Sequence, residues 1–360
     1  MSVPMRVGET QQETHLASTQ PPGGLLFDTM MIVFSCWFMG GLFLDGWAHT
    51  HIPRLETFFT PWHAVLYSGY LSVALFLLIS MYRNHARGYA WSRALPSGYE
   101  LSLVGAGIFA VSGVGDMIWH IVFGIEQNVE ALLSPTHLGL ATGLILCMSG
   151  PLRAAWRRPE SMTRGWRALL PMLFSVTFIF SVFTFFTEYA HPFVRLTAAI
   201  IYPFDYTATQ ISISLGLVSI LFQVALLAAI VLLVVRRFTL PFGTFTMIFT
   251  INITLLSILG NHYNLIPAAA LGGIGADLLY HWLQPSTKRP DMLRLFAFAV
   301  PAFYYLCYFL NLQLIRGIQW SIHLWLGSVF MAGIAGLLLS FLMVPLRGSV
   351  EKDITPGARN

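Results

Sequence analysis

Residues 99–122 read YELSLVGAGIFAVSGVGDMIWHIV, an apolar run long enough to cross a bilayer, for which roughly 20 residues are needed. Hydrophobic residues make up 56% of the 360-residue chain and charged residues only 10%, whereas a soluble domain carries about 25% charged residues. We therefore predict an all-α fold, a polytopic integral membrane helical bundle with about ten transmembrane helices. The other candidate spans lie at 27–44, 64–82, 138–154, 168–187, 209–235, 243–259, 266–283, 295–315 and 322–344.

The apolar runs divide the chain into four parts. These are a polar tail at 1–26, a four-helix half at 27–155, a six-helix half of unassigned role at 168–344, and a second tail at 345–360. No cleavable signal peptide is evident in the first part, so we expect the first apolar run to remain as a span. The cysteines fall inside apolar runs without a C-x-x-C pair, which indicates neither a disulfide framework nor a thiolate zinc site.

Lysine and arginine are distributed unevenly among the predicted loops. If both ends of the chain lie on one side, that side carries every Lys and Arg except Arg54, Arg195 and Arg316. Short basic loops stay on the cytoplasmic side. We therefore predict a multi-pass protein of the cell (cytoplasmic) membrane with both termini cytoplasmic. The net charge of +4 then reflects topology and does not indicate a nucleic-acid partner.

One pattern occurs twice in the first half, Asp-x3-His followed by a spacer and Glu-x4-Pro-x-His. An aspartate and a histidine four residues apart share one face of a helix, with about 6 Å between their Cβ atoms. The proline marks where the next helix begins, so each copy predicts a helical hairpin with metal-ligand types on both arms. The two copies are Asp45, His49, Glu56, Pro61 and His63, and Asp116, His120, Glu130, Pro135 and His137.

The predicted topology places both copies at the outer ends of their spans. Each aspartate and its two histidines can converge on a metal ion, while Glu56 and Glu130 lie in the loops as additional ligands or as groups that hydrogen-bond a ligand. Asp–His pairs that merely hold helices together are the alternative. Asp277 and His281 repeat the spacing near the cytoplasmic end of their span without the Pro-x-His continuation, so we interpret that pair as structural.

Some polar residues of the second half are also predicted at the outer ends of their spans. Glu188, His191, His262 and His323 can line a substrate cavity, serve as extra ligands or cap helices there. His-Glu-x-x-His, a Walker loop and Gly-x-Ser-x-Gly are all missing from the sequence, which argues against the usual zinc proteases, nucleotide hydrolases and serine hydrolases.

The first copy of the pattern resembles a known family. Asp45-Gly46-x-x-His49, followed by Glu56-Thr57-Phe58-Phe59-Thr60-Pro61-x-His63, is similar to the first copper motif of the membrane-embedded C subunit of copper membrane monooxygenases, the particulate methane and ammonia monooxygenases. In that family an aspartate and two histidines of this motif bind copper. The resemblance therefore implies copper at Asp45, His49 and His63.

The second copy resembles the second motif of the same family, and the two motifs come in the same order. It implies ligands at Asp116, His120 and His137, with Glu130 at an acidic position before the final histidine. Asp116 stands where the family has asparagine, which makes this site more anionic, and the spacer between the histidines is longer. The resemblance covers residues 28–150 only.

The resemblance implies oxidation of a small apolar substrate or ammonia at the outer face, with a cupredoxin-like soluble domain and further membrane segments on separate subunits. The ligand types alone suit zinc or iron as well as copper. Two other functions stay open: a non-catalytic membrane protein that binds and handles copper, and an intramembrane zinc hydrolase that activates water.

Overall fold

The structure is a computed structural model that describes residues 19–52, 58–124 and 129–343. Within these residues the chain is all-α, as predicted, and short 3-10 turns join several of the helices. The helices are α1 (Leu25–His51), α2 (Pro61–His85), α3 (Glu100–Phe123), α4 (Val129–Leu133), α5 (Pro135–Met148), α6 (Gly150–Arg157), α7 (Gly165–Phe186), α8 (Tyr206–Arg237), α9 (Thr244–Gly260), α10 (Ile266–Leu283), α11 (Pro290–Ile315) and α12 (Ile322–Met343).

The predicted count of about ten transmembrane helices is wrong. Among the described residues, eight helical segments are long and apolar enough to cross a membrane, with α5 and α6 together forming one of them. Helices α9 and α10 form where spans were predicted, but neither belongs to the eight. The 17 residues of α9 reach only about 25 Å at 1.5 Å per residue, short of a hydrocarbon core of about 30 Å. Helix α10 has 18 residues, but these include the polar Asp277 and His281, which make the helix less apolar.

Two helical hairpins, α1 with α2 and α3 with α5, form the first half. The second arm of each begins at the proline of the repeated pattern, as predicted, and a hydroxyl residue comes directly before that proline. Thr60 accepts a hydrogen bond from the backbone N–H of His63, and Ser134 accepts one from that of His137. These side chains satisfy backbone donors that have no partner within the helix. The cap therefore fixes the start of each second arm three residues before its histidine.

The arms of each hairpin touch through glycine, at matching positions of the two copies. Gly69 lies six residues after His63, and a Cβ added to it would come 2.6 Å from the Cα atom of Phe38. Gly143 lies six residues after His137, and its Cβ would come 2.6 Å from the backbone nitrogen of Phe109. Such close helix approach through small residues is common in membrane bundles. The repeat is thus longer than the pattern of acids and histidines.

Helix α7 joins the two halves of the molecule. It is buried along most of its length and packs against α1, α5, α6 and α9. Beyond it, α9 to α12 pair in sequence order, and α12 returns to pack on α8. This places the loop after α7, which includes Glu188, beside the hairpin ends that carry the aspartates and histidines.

Asp277 has a structural role in the second half, as predicted from the missing Pro-x-His. Its carboxylate accepts hydrogen bonds from the backbone N–H groups of Phe245 and Thr246, each at 3.0 Å, and from the Thr246 hydroxyl at 2.7 Å. These groups are at the start of α9, where a helix end favours negative charge. Asp277 therefore anchors α10 to the first turn of α9.

Candidate metal centres

The first centre lies at the open end of the hairpin formed by α1 and α2. Asp45 and His49 stand one turn apart on α1, and the cap at Thr60 brings His63 opposite them. The two carboxylate oxygens face different imidazoles, with Oδ2 3.8 Å from Nε2 of His49 and Oδ1 3.5 Å from Nε2 of His63. One acidic group and two ring nitrogens thus converge on a single point.

The second centre repeats this arrangement on α3 and α5. Oδ2 of Asp116 lies 3.3 Å from Nε2 of His120, and Oδ1 lies 3.5 Å from Nε2 of His137. In each centre the three ligand atoms all lie within 4.8 Å of one another. The structure therefore brings together all six residues that the sequence predicted as metal ligands, in the two groups predicted.

Three of the four imidazoles are held from behind, at Nδ1. The Nδ1 atom of His63 donates to the carbonyl oxygen of Phe58 at 2.6 Å, and that of His120 lies 3.4 Å from the carbonyl oxygen of Gly124. A carbonyl only accepts, so Nδ1 carries the proton and the Nε2 lone pair of the neutral ring points toward the aspartate. Nδ1 of His137 lies 2.6 Å from the Ser134 hydroxyl. Histidines that bind metals are held this way through their other nitrogen.

The spacing of the ligand atoms fits a metal ion. Two ligand atoms about 2.1 Å from a tetrahedral ion lie ~3.4 Å apart. The four Asp–His separations run from 3.3 to 3.8 Å, whereas a direct N–H···O hydrogen bond spans about 2.7–3.2 Å. One carboxylate and two imidazoles are also a donor set that divalent transition metals accept. The arrangement can therefore hold one ion at each centre.

Both centres open into one cavity of about 1030 Å³. The ring of Phe58 lies between them, since it stacks on His63 with centroids 4.8 Å apart and lies 6.2 Å from the ring of His120. The ring centroids of the two histidines are thus separated by no more than the sum of these lengths. Apolar side chains cover much of the remaining wall: Leu42, Leu66, Phe109, Leu140, Leu144, Phe185, Phe186 and Leu259.

Of the residues predicted in the second half, Glu188 and His262 line this cavity, whereas His191 and His323 are not among its lining residues. Glu188 is 8% exposed, and burial raises the pKa of its carboxyl group. Burial together with Arg316 lowers the pKa of His262. His323 is exposed at the start of α12.

His191 is buried, and burial lowers its pKa to about 3. Its Nδ1 atom accepts a hydrogen bond from the backbone N–H of Phe193 at 3.2 Å, which holds the loop after α7. Glu56 lies outside the described residues. Glu130 is exposed on the short helix α4, beside residues that line the cavity. The structure thus places Glu130 against neither centre.

Sequence reasoning did not single out Tyr67 and Thr136, although both belong to the site. Tyr67 lies four residues after His63, and therefore on the same face of α2, where it lines the cavity. Thr136 occupies the variable position of the second Pro-x-His, and its hydroxyl donates to Oδ1 of Asp116 at 2.8 Å. Helical spacing would have indicated the tyrosine, but no pattern in the sequence indicates the threonine.

The second half also contacts the rim of the first centre. Nε2 of His51 lies 2.7 Å from the amide nitrogen of Asn261, at the end of α9, while Nδ1 of His51 donates to the carbonyl oxygen of Trp47. The described fold and site thus define a multi-pass helical membrane protein with two buried Asp/His clusters that can hold metal ions.

No protein-family model, no curated protein and no solved structure matches this chain.

Proposed function

We propose that this chain is a copper-binding membrane protein that oxidises a small apolar substrate or ammonia, as a copper-dependent monooxygenase or a subunit of one. The observation that supports this most is the pair of Asp/His2 clusters that open into one cavity, whose wall is part polar and part apolar. Copper, rather than zinc or iron, is chosen because both motifs resemble those of the C subunit of copper membrane monooxygenases. The geometry by itself accepts any of these metals.

Each of the two clusters would hold one copper ion. Asp45, His49 and His63 would hold one ion, and Asp116, His120 and His137 the other. Copper bound there would supply the activation of oxygen. The apolar part of the wall would contact the substrate, since such surfaces favour ligands with little polar surface.

We also propose on which side of the membrane the metal centres lie. The basic loops would lie in the cytoplasm and both centres would face the extracytoplasmic side of the cell membrane. Electrons would come from a separate subunit with a cupredoxin-like domain.

Metal content tests the proposal directly. We expect purified protein, reconstituted with Cu²⁺, to bind two equivalents, and His63→Ala and His137→Ala to bind one each. His323→Ala is the matched control, because that histidine is exposed and does not line the cavity. If neither cavity variant changes the bound copper, the proposed sites are wrong.

A second measurement separates oxidation from metal handling. With its native partners, the copper-loaded protein is expected to consume O₂ when hydrocarbons or ammonia are supplied. Copper uptake into proteoliposomes without any substrate-dependent O₂ consumption would support the handling function instead. Bound zinc together with hydrolytic activity toward lipids would support the hydrolase.

A further inference from the structure

The two centres differ in how far their ligands are exposed. The Asp45 side chain is 14% exposed, whereas that of Asp116 is 2% exposed. His120 is 4% exposed, against 20% for His49 at the equivalent position. The second centre is therefore more closed around its carboxylate and first histidine. Its second histidine, His137, is 17% exposed against 10% for His63, so the difference in exposure lies at the aspartate and the first histidine.

The centres also differ in what holds the carboxylate. Oδ1 of Asp116 accepts the hydroxyl hydrogen of Thr136 at 2.8 Å, and the same hydroxyl lies 3.2 Å from that of Ser134. Ser134 in turn lies 2.6 Å from Nδ1 of His137. Aspartate and histidine are thus linked by a short chain of hydroxyl groups on the first turn of α5.

The equivalent of Thr136 in the first copy is Trp62, which has no hydroxyl group. Its ring lies edge-on to Trp47 on α1, with 5.7 Å between centroids. In the described part of the chain, the polar contacts of Asp45 are with the two histidines of its own centre. Its carboxylate therefore lacks the support that Thr136 gives to Asp116.

From these differences we propose that the two ions have different roles. The ion at Asp116, His120 and His137 is resident and exchanges slowly, with Thr136 as the positioning residue that holds its carboxylate. The ion at Asp45, His49 and His63 exchanges readily with the cavity and is the one that cavity ligands reach. This inference rests on the proposed binding of metal at both centres.

The physical basis is pre-organisation. A hydrogen bond to a ligating carboxylate keeps it in the rotamer that binds the ion, and losing such a bond typically costs 10–100-fold in metal affinity. Burial adds to the effect, because a competing ligand must reach the ion before it can remove it.

Copper release into excess EDTA tests the proposal with the full-length protein. After loading with Cu²⁺, one equivalent should leave quickly and the other slowly. His63→Ala should retain only the slow equivalent and His137→Ala only the fast one. Release of both equivalents at one rate, or a fast equivalent that disappears in His137→Ala, would overturn the assignment.

Thr136 is tested in the His63→Ala background, where copper is bound only at the second centre. Thr136→Val should weaken copper binding 10–100-fold, speed its release and change the Cu²⁺ electron paramagnetic resonance spectrum. Thr136→Ser should restore all three. Thr142→Val is the matched control, since that hydroxyl on α5 bonds only to the carbonyl oxygen of Leu138 one turn before it.

The outcomes distinguish the two proposals. A protein that binds no copper contradicts the proposed function and this inference together. If the wild type binds two equivalents but release from His63→Ala is unchanged when Thr136→Val is added, the role of Thr136 alone is contradicted. If the valine variant does not fold, Thr136→Ala decides, because it removes the hydroxyl with a smaller side chain: faster release supports the role of Thr136, and wild-type release contradicts it.

Discussion

Gly143 lies directly against Phe109, and a Cβ on that glycine would come 2.6 Å from the phenylalanine backbone nitrogen. The first hairpin has the same relationship between Gly69 and Phe38. In both copies the glycine lies six residues after the second histidine, and the phenylalanine seven before the aspartate. The contact brings the two arms close enough for the histidine of one arm to face the aspartate of the other.

Alanine at either glycine is expected to separate the arms of its hairpin. Overpacking of this kind typically costs 1–3 kcal/mol, and the displaced arm should lower the copper affinity of that centre alone. Copper content and the thermal unfolding midpoint of Gly69→Ala and Gly143→Ala measure both effects. Gly40→Ala and Gly107→Ala are matched controls, since a Cβ at these positions of α1 and α3 meets nothing within 4 Å.

Asp277 is expected to act on stability and not on metal binding. Asp277→Ala removes the acceptor of three hydrogen bonds at the start of α9, a loss of about 1–3 kcal/mol. The unfolding midpoint in detergent should fall, while bound copper should stay at the wild-type value. Lost copper in this variant, with the fold intact, would show that the third Asp–His pair is a metal site after all.

His191 is expected to make stability depend on pH. Burial lowers its pKa from 6.5 to about 3, so the unfolded chain takes up a proton near pH 6.5 while the folded chain remains neutral. The stabilisation is complete above pH 6.5 and decreases toward pH 3, by at most about 1.4 kcal/mol per pH unit. His191→Asn keeps an acceptor for the Phe193 N–H. The difference in unfolding midpoint between wild type and variant, measured from pH 7 to pH 4, should therefore shrink or change sign as the pH falls; a constant difference contradicts the prediction.

Membrane orientation is tested by thiol labelling. Ser321 lies between α11 and α12 on the predicted outer side, and Ser161 lies among basic residues between α6 and α7. In a background without Cys36, Cys147 and Cys307, an impermeant thiol reagent should label Ser321→Cys in intact cells. Ser161→Cys should react only after permeabilisation, and the opposite pattern would reverse the topology.

The fold class and the six candidate ligands follow from local features of the sequence. An apolar run, a helical spacing of four and a proline after a hydroxyl residue each act within a few residues. Glycines 69 and 143 are visible too, once the two copies are aligned on their histidines. Such features need no knowledge of distant contacts.

Other properties depend on how distant segments pack. We predicted spans at 243–259 and 266–283. Helices α9 and α10 form there, but they are not among the eight helical segments of the described residues that are long and apolar enough to cross a membrane. His191 and Glu188 look alike as outer polar residues, yet one is buried against the loop after α7 and the other lines the cavity. Only the folded chain distinguishes them, because both are buried and what surrounds each depends on elements far apart in the sequence.

The two hairpins meet where Tyr67 occupies the space above Gly113, whose added Cβ would come 2.8 Å from the tyrosine hydroxyl. The equivalent of Tyr67 in the second copy is Ala141, and the equivalent of Gly113 in the first is Leu42. Two first hairpins would therefore collide, tyrosine against leucine, and two second hairpins would leave a gap. The contact therefore fits a first hairpin against a second hairpin, and the two copies are not interchangeable at this contact.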